Sequence, residues 1–311
     1  MAKFGPVAVA IPTKNRPKDL DLTVETVLAQ TVLPRQLIII DQSGTDVSEQ
    51  RVRQRYQASG GDLLDSLELI YHKDTSITGL TAARNCSLKF VRAKIVLFLD
   101  DDVILERDFI ELVLAAYDKH ADATGVSGVV TNYSPPSAAF RLWSRVFMRG
   151  SFWDDRQPVY WNAYRFHSSE PVRVTRLGGG LMSFRMSAIA GVRFDENLHG
   201  ACDGEDVEFC ARLDPNSVLL IEPKARLVHS QSPVARVNEH WLSKHASTMW
   251  YLYRRNWDYG IRNRFCFLWL NIGYAMAATL ISVCRRSLAS WRGLAKAIRA
   301  SQALVVPEQQ R

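Results

Sequence analysis

The feature that most constrains the fold is an alternation, over the first two thirds of the chain, of apolar runs with stretches of helical spacing. Residues 7–11, 37–40 and 95–99 are continuously apolar, whereas residues 19–30 and 80–91 repeat apolar side chains every three or four positions. Consecutive apolar positions are typical of parallel strands that helices cover on both faces. The pattern therefore predicts an α/β sheet built from βα units.

Polar side chains follow three of the predicted strands. Thr13, Asn15 and Arg16 come after the first strand, Asp41 ends the second, and 100–102 is a run of three aspartates after the third. The carboxyl ends of parallel strands meet at one edge of a sheet, where ligands of such folds bind. We therefore expect a binding cleft at this edge.

Asp100 and Asp102 follow a buried strand directly, with one residue between them. Paired carboxylates at a strand end can hold Mg²⁺ or Mn²⁺, which take oxygen ligands and often bridge to substrate phosphates. A solvated acidic turn is the alternative for an isolated motif of this kind. His229 follows an apolar pair of residues and can add an imidazole ligand or pack as an ordinary histidine.

Glu205 and Asp206 begin a predicted helix over 204–213. Asp206 can act as a general base, which a hydroxyl nucleophile requires. The alternative is that both carboxylates only compensate the helix dipole at its N-terminus. Residues 132–175, rich in proline and aromatic side chains, are predicted to be an irregular insertion over the cleft, and Ser187 is predicted to cap a short helix ending at Ala190.

From about residue 237, the pattern changes to long stretches of helical spacing. Residues 265–284 contain no charge, would span about 30 Å as a helix, and are flanked by Arg262, Arg264, Arg285 and Arg286. A basic amphipathic tail follows, of the kind that lies on membrane surfaces. A spanning helix and an in-plane or re-entrant helix both remain open, beside a buried core helix. We expect two domains, 1–235 and 236–311.

Charge and cysteine content narrow the function classes. The net charge of +7 comes from 39 Lys and Arg against 32 Asp and Glu. The basic residues cluster around the apolar segment 265–284 and not along a groove where bases could stack, which disfavours nucleic-acid binding. The five cysteines include no CxxC pair, which indicates reduced thiols and a cytoplasmic setting. No P-loop, GxGxxG, GxSxG or HExxH motif is present.

In combination, these segments resemble the family 2 glycosyltransferases, which have the GT-A fold: a nucleotide-diphospho-sugar transferase sheet flanked by helices. The resemblance covers roughly residues 5–232. It rests on the opening strand and loop at 9–16, the second strand and turn at 38–46, the helix start at 79–85, the DxD strand at 96–102, and an acceptor-side block at 180–185, 194–196 and 204–206.

The resemblance implies a role for each matching position. It implies that the nucleotide sugar is bound by Thr13, Asn15, Arg16, Asp41, Arg84, Asp100 and Asp101. It implies that Asp100, Asp102 and His229 hold a divalent metal, Mg²⁺ or Mn²⁺. Asp206 would deprotonate the acceptor hydroxyl, with Glu205 beside it.

The activity that the resemblance implies is an inverting, metal-dependent transfer of a hexosyl or deoxyhexosyl group from a nucleotide diphosphate sugar. With the helical, membrane-associated C-terminal extension, it suggests a lipid-linked glycan acceptor, a role in cell-envelope polysaccharide biosynthesis, and a place at the cytoplasmic face of the inner membrane. Two alternatives are a nucleotidyltransferase on the same fold and a non-catalytic, membrane-bound scaffold that binds nucleotide sugars.

Overall fold

The computed structural model describes residues 2–60, 66–161, 170–198, 204–231, 241–257 and 260–303. The chain divides into two compact units. Residues 1–134 and 155–236 form the first unit, and residues 135–154 and 237–311 form the second. The segment 135–154 is thus grouped with the residues after 236, and the expected domains, 1–235 and 236–311, stay a prediction.

A nine-stranded mixed sheet forms the centre of the first unit. Its strands are β1 (Lys3–Thr13), β2 (Val32–Asp41), β3 (Glu68–Lys73), β4 (Ile95–Leu99), β5 (Val103–Leu105), β6 (Ala123–Val130), β7 (Val172–Val174), β8 (Leu181–Arg185) and β9 (Val218–His229). The order is β3-β2-β1-β4-β8-β6-β9-β5, and β7 pairs with β9. Strands β3, β2, β1 and β4 are parallel, and β8 runs antiparallel to β4 and β6.

Helices flank this sheet, as predicted. Those of the first unit are α1 (Pro17–Leu28), α2 (Val47–Ala58), α3 (Leu80–Leu88), α4 (Phe109–Lys119), α6 (Gln157–Trp161) and α7 (Glu205–Ala211). All five residues of β4 are buried, as are most of β1 and β2. The continuous apolar runs are therefore strands covered on both faces, and their carboxyl ends lie at one sheet edge because the strands are parallel.

The prediction of irregular structure over 132–175 is wrong for a large part of that stretch. Helix α5 (Ala138–Phe147), a 3₁₀ turn (Gly150–Phe152), α6 and β7 all lie within it. Ser137 caps α5, because its side chain accepts a hydrogen bond from the Phe140 amide at 3.2 Å. Pro135 and Pro136 precede α5, Pro158 lies in the first turn of α6, and Pro171 precedes β7, all positions where proline is tolerated.

The short helix predicted over 187–190 is also wrong, since residues 186–191 form turns. A segment of four residues cannot repay the cost of nucleating a helix. Gly191 adopts a positive φ of 82°, so the glycine serves a turn rather than a helix terminus.

The second unit is helical over its described residues. It contains α5, the 3₁₀ turn, α8 (Trp241–Arg255), α9 (Ile261–Arg285) and α10 (Ala289–Ala303). Within the described part of the chain, α9 alone is long and apolar enough to cross a membrane, and 39% of its most apolar window is buried.

Candidate active site at the strand ends

Asp101 connects the loop after β1 to the end of β4. The Thr13 hydroxyl donates to Asp101 Oδ2 at 2.6 Å, and Arg16 Nη1 donates to Asp101 Oδ1 at 2.9 Å. Burial raises the pKa of Asp101 to about 6, against the opposing effect of these two donors. The Asn15 backbone, at a positive φ of 56°, donates to Ser43 Oγ at 2.7 Å and so joins the first two strand ends.

Asp41 is fully buried at the end of β2. Its Oδ1 accepts from the Ser43 amide at 2.8 Å, and its Oδ2 accepts from the Tyr71 hydroxyl at 2.6 Å. Burial and the bond to this carboxylate raise the pKa of Tyr71 well above its usual range. Asp41 therefore orders the turn after β2 and lies at the same sheet edge as Thr13, with which it is in register.

Asp100, Asp102 and His229 form a three-residue cluster in which the possible ligand atoms lie within 4.8 Å of one another. His229 Nε2 lies 2.8 Å from Asp102 Oδ1, because β5 and β9 pair at Val103 and His229. The Arg16 guanidinium lies 3.6 Å from Asp102 Oδ2, so a cation already faces this carboxylate.

The cluster fits a divalent metal. Two carboxylates and one imidazole are a donor set that such metals accept. The Tyr133 hydroxyl lies 2.5 Å from His229 Nδ1, so the second ring nitrogen has a partner and Nε2 faces the carboxylates. Metal-binding histidines usually have such a partner on the other nitrogen. A site made of the two aspartates alone would leave the position of His229 beside them unexplained.

Arg84 is a fully buried guanidinium that connects the cluster to α7. Nη1 donates to Glu205 Oε1 at 2.9 Å, and Nη2 donates to Asp100 Oδ1 at 3.2 Å and to the Gly179 carbonyl at 2.7 Å. Its guanidinium carbon lies 5.4 Å from the centre of the Phe194 ring. A single side chain thus holds a carboxylate of the DxD motif and a carboxylate of the α7 pair.

The glycine run before β8 is explained by these carboxylates. A Cβ on Gly180 would lie 2.5 Å from Asp100 Oδ2, and a Cβ on Gly179 would lie 2.5 Å from Glu205 Oε1. Neither position has room for a larger residue. The run therefore allows the backbone to approach both carboxylates closely, a common reason for glycine at a site.

Asp206 lies beside Glu205 in the first turn of α7, as predicted. Its Oδ2 accepts from Arg156 Nη1 at 2.5 Å, and the same nitrogen donates to the Leu177 carbonyl at 2.6 Å. Sequence reasoning missed Arg156, since it lies 50 residues from Asp206 in a stretch without a recognisable motif. It also missed Tyr133, which lies 96 residues from His229.

Glu205 is predicted to make the stability of the first unit depend on pH. Burial raises its pKa to about 7 from an ordinary value of 4.5, and the Asp206 charge adds to this while Arg84 opposes it. Because the folded pKa exceeds the unfolded one, the stabilising contribution is fully present below about pH 4.5 and is lost as the pH rises to about 7. The free energy of unfolding of the unmodified protein, measured by urea titration, is expected to fall between pH 5 and pH 8. We expect a smaller fall in Glu205→Gln.

Glu106→Gln, at an exposed glutamate, is the matched control and should leave that decrease unchanged. An equal pH dependence in the Glu205→Gln variant and the unmodified protein would contradict the assignment.

Comparison with known proteins identifies the family. The sequence model of glycosyl transferase family 2 matches residues 8–190, more than half of the chain. A glucosyl-dolichyl phosphate glucuronosyltransferase of Haloferax volcanii is 31% identical over 124 residues, which are 40% of this chain and 37% of the relative. A validoxylamine A glucosyltransferase of Streptomyces hygroscopicus subsp. limoneus is 30% identical over 131 residues, 42% of this chain and 27% of the relative. The match thus spans about a third of these relatives' length.

Solved structures share the fold. TarS 1–349 of S. aureus, in complex with UDP-GlcNAc, has a TM-score of 0.59 at 16% identity, over 97% of this chain and 82% of that one. The mannosyltransferase PcManGT of Pyrobaculum calidifontis, in complex with GDP-Man and Mn²⁺, has a TM-score of 0.57 at 15% identity, over 96% of this chain and 86% of that one. These likenesses confirm the predicted GT-A fold.

Proposed function

The chain belongs to glycosyl transferase family 2, and from that premise we propose that it transfers a sugar from a nucleoside diphosphate sugar to a hydroxyl acceptor. One observation carries the proposal: Arg84 bonds both Asp100 at the end of β4 and Glu205 at the start of α7. The donor-side carboxylates and the candidate base are thereby held in one site. A binding scaffold would have no use for a base beside the donor carboxylates.

In the proposed reaction, Asp206 removes the proton of the acceptor hydroxyl. The hydroxyl oxygen then bonds to the anomeric carbon from the face opposite the diphosphate, and the bond from that carbon to the phosphate oxygen breaks. This single displacement inverts the anomeric configuration. Arg156 fixes the Asp206 carboxylate, while Arg84 acts by positioning Asp100 and Glu205, since its guanidinium is buried and has three protein acceptors.

We assign donor binding to the strand-end residues. Thr13, Arg16 and Asp101 form one hydrogen-bonded group, and Asn15 and Asp41 order the adjoining turns. A divalent cation, when held by Asp100, Asp102 and His229, would offset the charge of the diphosphate leaving group. Since Mg²⁺ takes oxygen ligands, the imidazole in the set favours Mn²⁺, the ion named with GDP-Man in the PcManGT structure.

The acceptor is proposed to be a lipid-linked glycan at the cytoplasmic face of a membrane. Two observations support this: the apolar helix α9, and a relative whose name specifies glucosyl-dolichyl phosphate. The transferase chemistry then resides in the first unit and membrane attachment in the second. The reaction would then contribute to cell-envelope polysaccharide synthesis.

A transfer assay tests the proposed function. Purified protein is incubated with Mn²⁺, a set of UDP-, GDP- and dTDP-sugars and a membrane lipid extract, and released nucleoside diphosphate and glycosylated lipid are measured. We expect one donor to give product whose new linkage has the anomeric configuration opposite to that of the donor. Product with retained configuration, or release of pyrophosphate from a nucleoside triphosphate instead, would contradict the proposal.

Tyr133 is predicted to tune metal affinity through His229. Tyr133→Phe removes the hydroxyl that pairs with His229 Nδ1, and loss of such a partner typically weakens metal binding about 10–100-fold. We expect calorimetry to give Mn²⁺ affinity lower by that factor, with kcat at saturating Mn²⁺ changed much less. Tyr56→Phe, which removes a hydroxyl bonded to the Leu67 carbonyl, is the control. Equal Mn²⁺ affinity in both variants would contradict the prediction.

A further inference from the structure

Helix α9 has two different faces. One is buried and consists of Cys266, Leu270, Gly273, Tyr274, Ala277, Ala278 and Ser282. The other is exposed and apolar, and we call it the apolar stripe: Phe265, Leu268, Ile272, Met276, Leu280 and Val283, each between 42 and 71% exposed. These residues recur every three or four positions, so the stripe is continuous along about 27 Å of helix.

Tryptophan hydrogen bonds fasten the buried face within the second unit. The Trp143 indole of α5 donates to the Gly273 carbonyl at 2.9 Å, and the Trp250 indole of α8 donates to Asn271 Oδ1 at 2.8 Å. The Trp269 indole of α9 donates to the Val146 carbonyl at 2.9 Å. The middle of α9 is therefore held by hydrogen bonds to α5 and α8, and these two helices cover one of its sides.

The net positive charge of the chain lies in this unit, because acidic residues are few there. Residues 135–154 and 237–311 hold 14 of the 39 Lys and Arg but only 4 of the 32 Asp and Glu. The first unit has 25 basic against 28 acidic residues, so the whole excess of positive charge lies in the second. Arg262 and Arg264 precede the stripe, and Arg285 and Arg286 follow it.

We propose that α9 lies in the plane of an anionic lipid surface, with the apolar stripe inserted between the headgroups and the flanking arginines on lipid phosphates. A one-sided apolar face combined with basic ends matches an interfacial helix. The proposal deepens the membrane attachment that the proposed function includes, by specifying the lipid charge and the orientation of the helix.

A spanning arrangement conflicts with the neighbours of α9. Helix α5 carries Arg141 and Arg145, and α8 carries Lys244, Arg254 and Arg255. Because α5 and α8 bond to the middle of α9, a spanning α9 would bring these elements to the depth of the hydrocarbon core. Cations at that depth are costly and rare, whereas an in-plane helix leaves them on the aqueous side.

Vesicle sedimentation of the full chain tests the surface. We expect binding to vesicles of phosphatidylcholine with 30% phosphatidylglycerol, at least fivefold weaker binding to phosphatidylcholine alone, and a decrease with added salt. The double variant Leu268→Glu, Ile272→Glu should lose at least fivefold in bound fraction. Leu22→Glu, at an exposed leucine of α1 in the first unit, is the control and should bind normally. Equal binding by the stripe variant, or by neutral vesicles, would overturn the proposal.

Spin labels measure the orientation. The variants are Phe265→Cys, Ile272→Cys and Val283→Cys, each alone in a background with Cys202→Ser and Cys284→Ser. A spin label on each reports its depth through its accessibility to oxygen and to a polar relaxant. We expect similar, shallow depths at all three positions. A profile with Ile272 far deeper than both ends would show a spanning helix. A stripe that is covered instead by a second copy, seen as a dimer by light scattering without vesicles, would equally overturn the proposal.

Nucleotide binding by the same samples separates the two hypotheses. If vesicle binding fails while UDP, GDP or dTDP with Mn²⁺ still raises the melting temperature, only the lipid proposal is overturned. If vesicle binding succeeds and no nucleotide binds, only the proposed function fails.

Discussion

Asp206→Asn is expected to lower kcat by about 10³-fold while the KM for the donor changes by less than about threefold, the size of effect typical for loss of a general base. Asparagine keeps the shape of the side chain and an oxygen that can accept from Arg156, which lies 2.5 Å from Asp206 Oδ2. It cannot take the proton of the acceptor hydroxyl. The loss should therefore appear in the chemical step and not in donor binding.

Steady-state kinetics with the donor that the transfer assay identifies measure this effect. Asp118→Asn, at an exposed aspartate of α4, is the matched control and should retain full activity. A variant at Asp206 with kcat within tenfold of the unmodified enzyme would exclude this residue as the base. Equal losses in kcat/KM and donor affinity would instead indicate that Asp206 binds the donor.

Asp102→Asn is expected to weaken Mn²⁺ binding by at least about 100-fold and to abolish measurable transfer at the Mn²⁺ concentration that saturates the unmodified protein. This residue contacts His229 at 2.8 Å and belongs to the three-residue cluster, and even residues that only support a ligand contribute 10–100-fold in metal affinity. Asparagine retains one oxygen but loses the charge that attracts the cation. The loss in transfer should be recovered in part at high Mn²⁺ if folding is intact.

Calorimetric titration with Mn²⁺, with and without a nucleoside diphosphate, measures this second effect, and the chelator EDTA should abolish transfer by the unmodified protein. Asp118→Asn again serves as the control. Full activity of Asp102→Asn, or of the unmodified protein in excess EDTA, would contradict a metal-dependent mechanism.

The parts of the fold that could be predicted are those with local signals. β4 was evident because five consecutive apolar residues precede three aspartates, and α7 because charged residues open a short amphipathic segment after a glycine. The strand-end site followed from the parallel arrangement. The place of the antiparallel strand β8 between β4 and β6 has no local signal in the sequence.

The contacts between distant residues could not be predicted, because they depend on tertiary structure. Arg156, which hydrogen-bonds to Asp206, lies in a segment rich in proline and aromatic residues. This composition makes the helices of the segment hard to predict. Arg84 was assigned to the nucleotide through the family resemblance, and its burial between Asp100 and Glu205 is visible only once α3, β4 and α7 are in place. The reason for glycine at 179 and 180 is two carboxylates from elsewhere in the chain, which only the structure reveals.

The distribution of charge between the two units also could not be predicted from the sequence. The net charge of +7 is a property of the sequence, but its confinement to the second unit emerges only when residues 135–154 group with residues 237–311. This grouping also places the buried face of α9 against α5, which a sequence pattern over 261–285 alone does not reveal.

A thermal-shift titration tests whether the strand ends form a metal-dependent site for a nucleoside diphosphate. UDP, GDP and dTDP are each added with and without Mn²⁺ to the unmodified protein and to Asp102→Asn. A ligand at 100 times its Kd stabilises the folded state by about 2.7 kcal/mol, which corresponds to a melting temperature raised by about 5 °C. We predict such a rise for one base, with Mn²⁺ only, and none in Asp102→Asn. A folded protein whose melting temperature is unchanged by all three nucleotides, or raised equally without Mn²⁺ and in Asp102→Asn, would contradict the account.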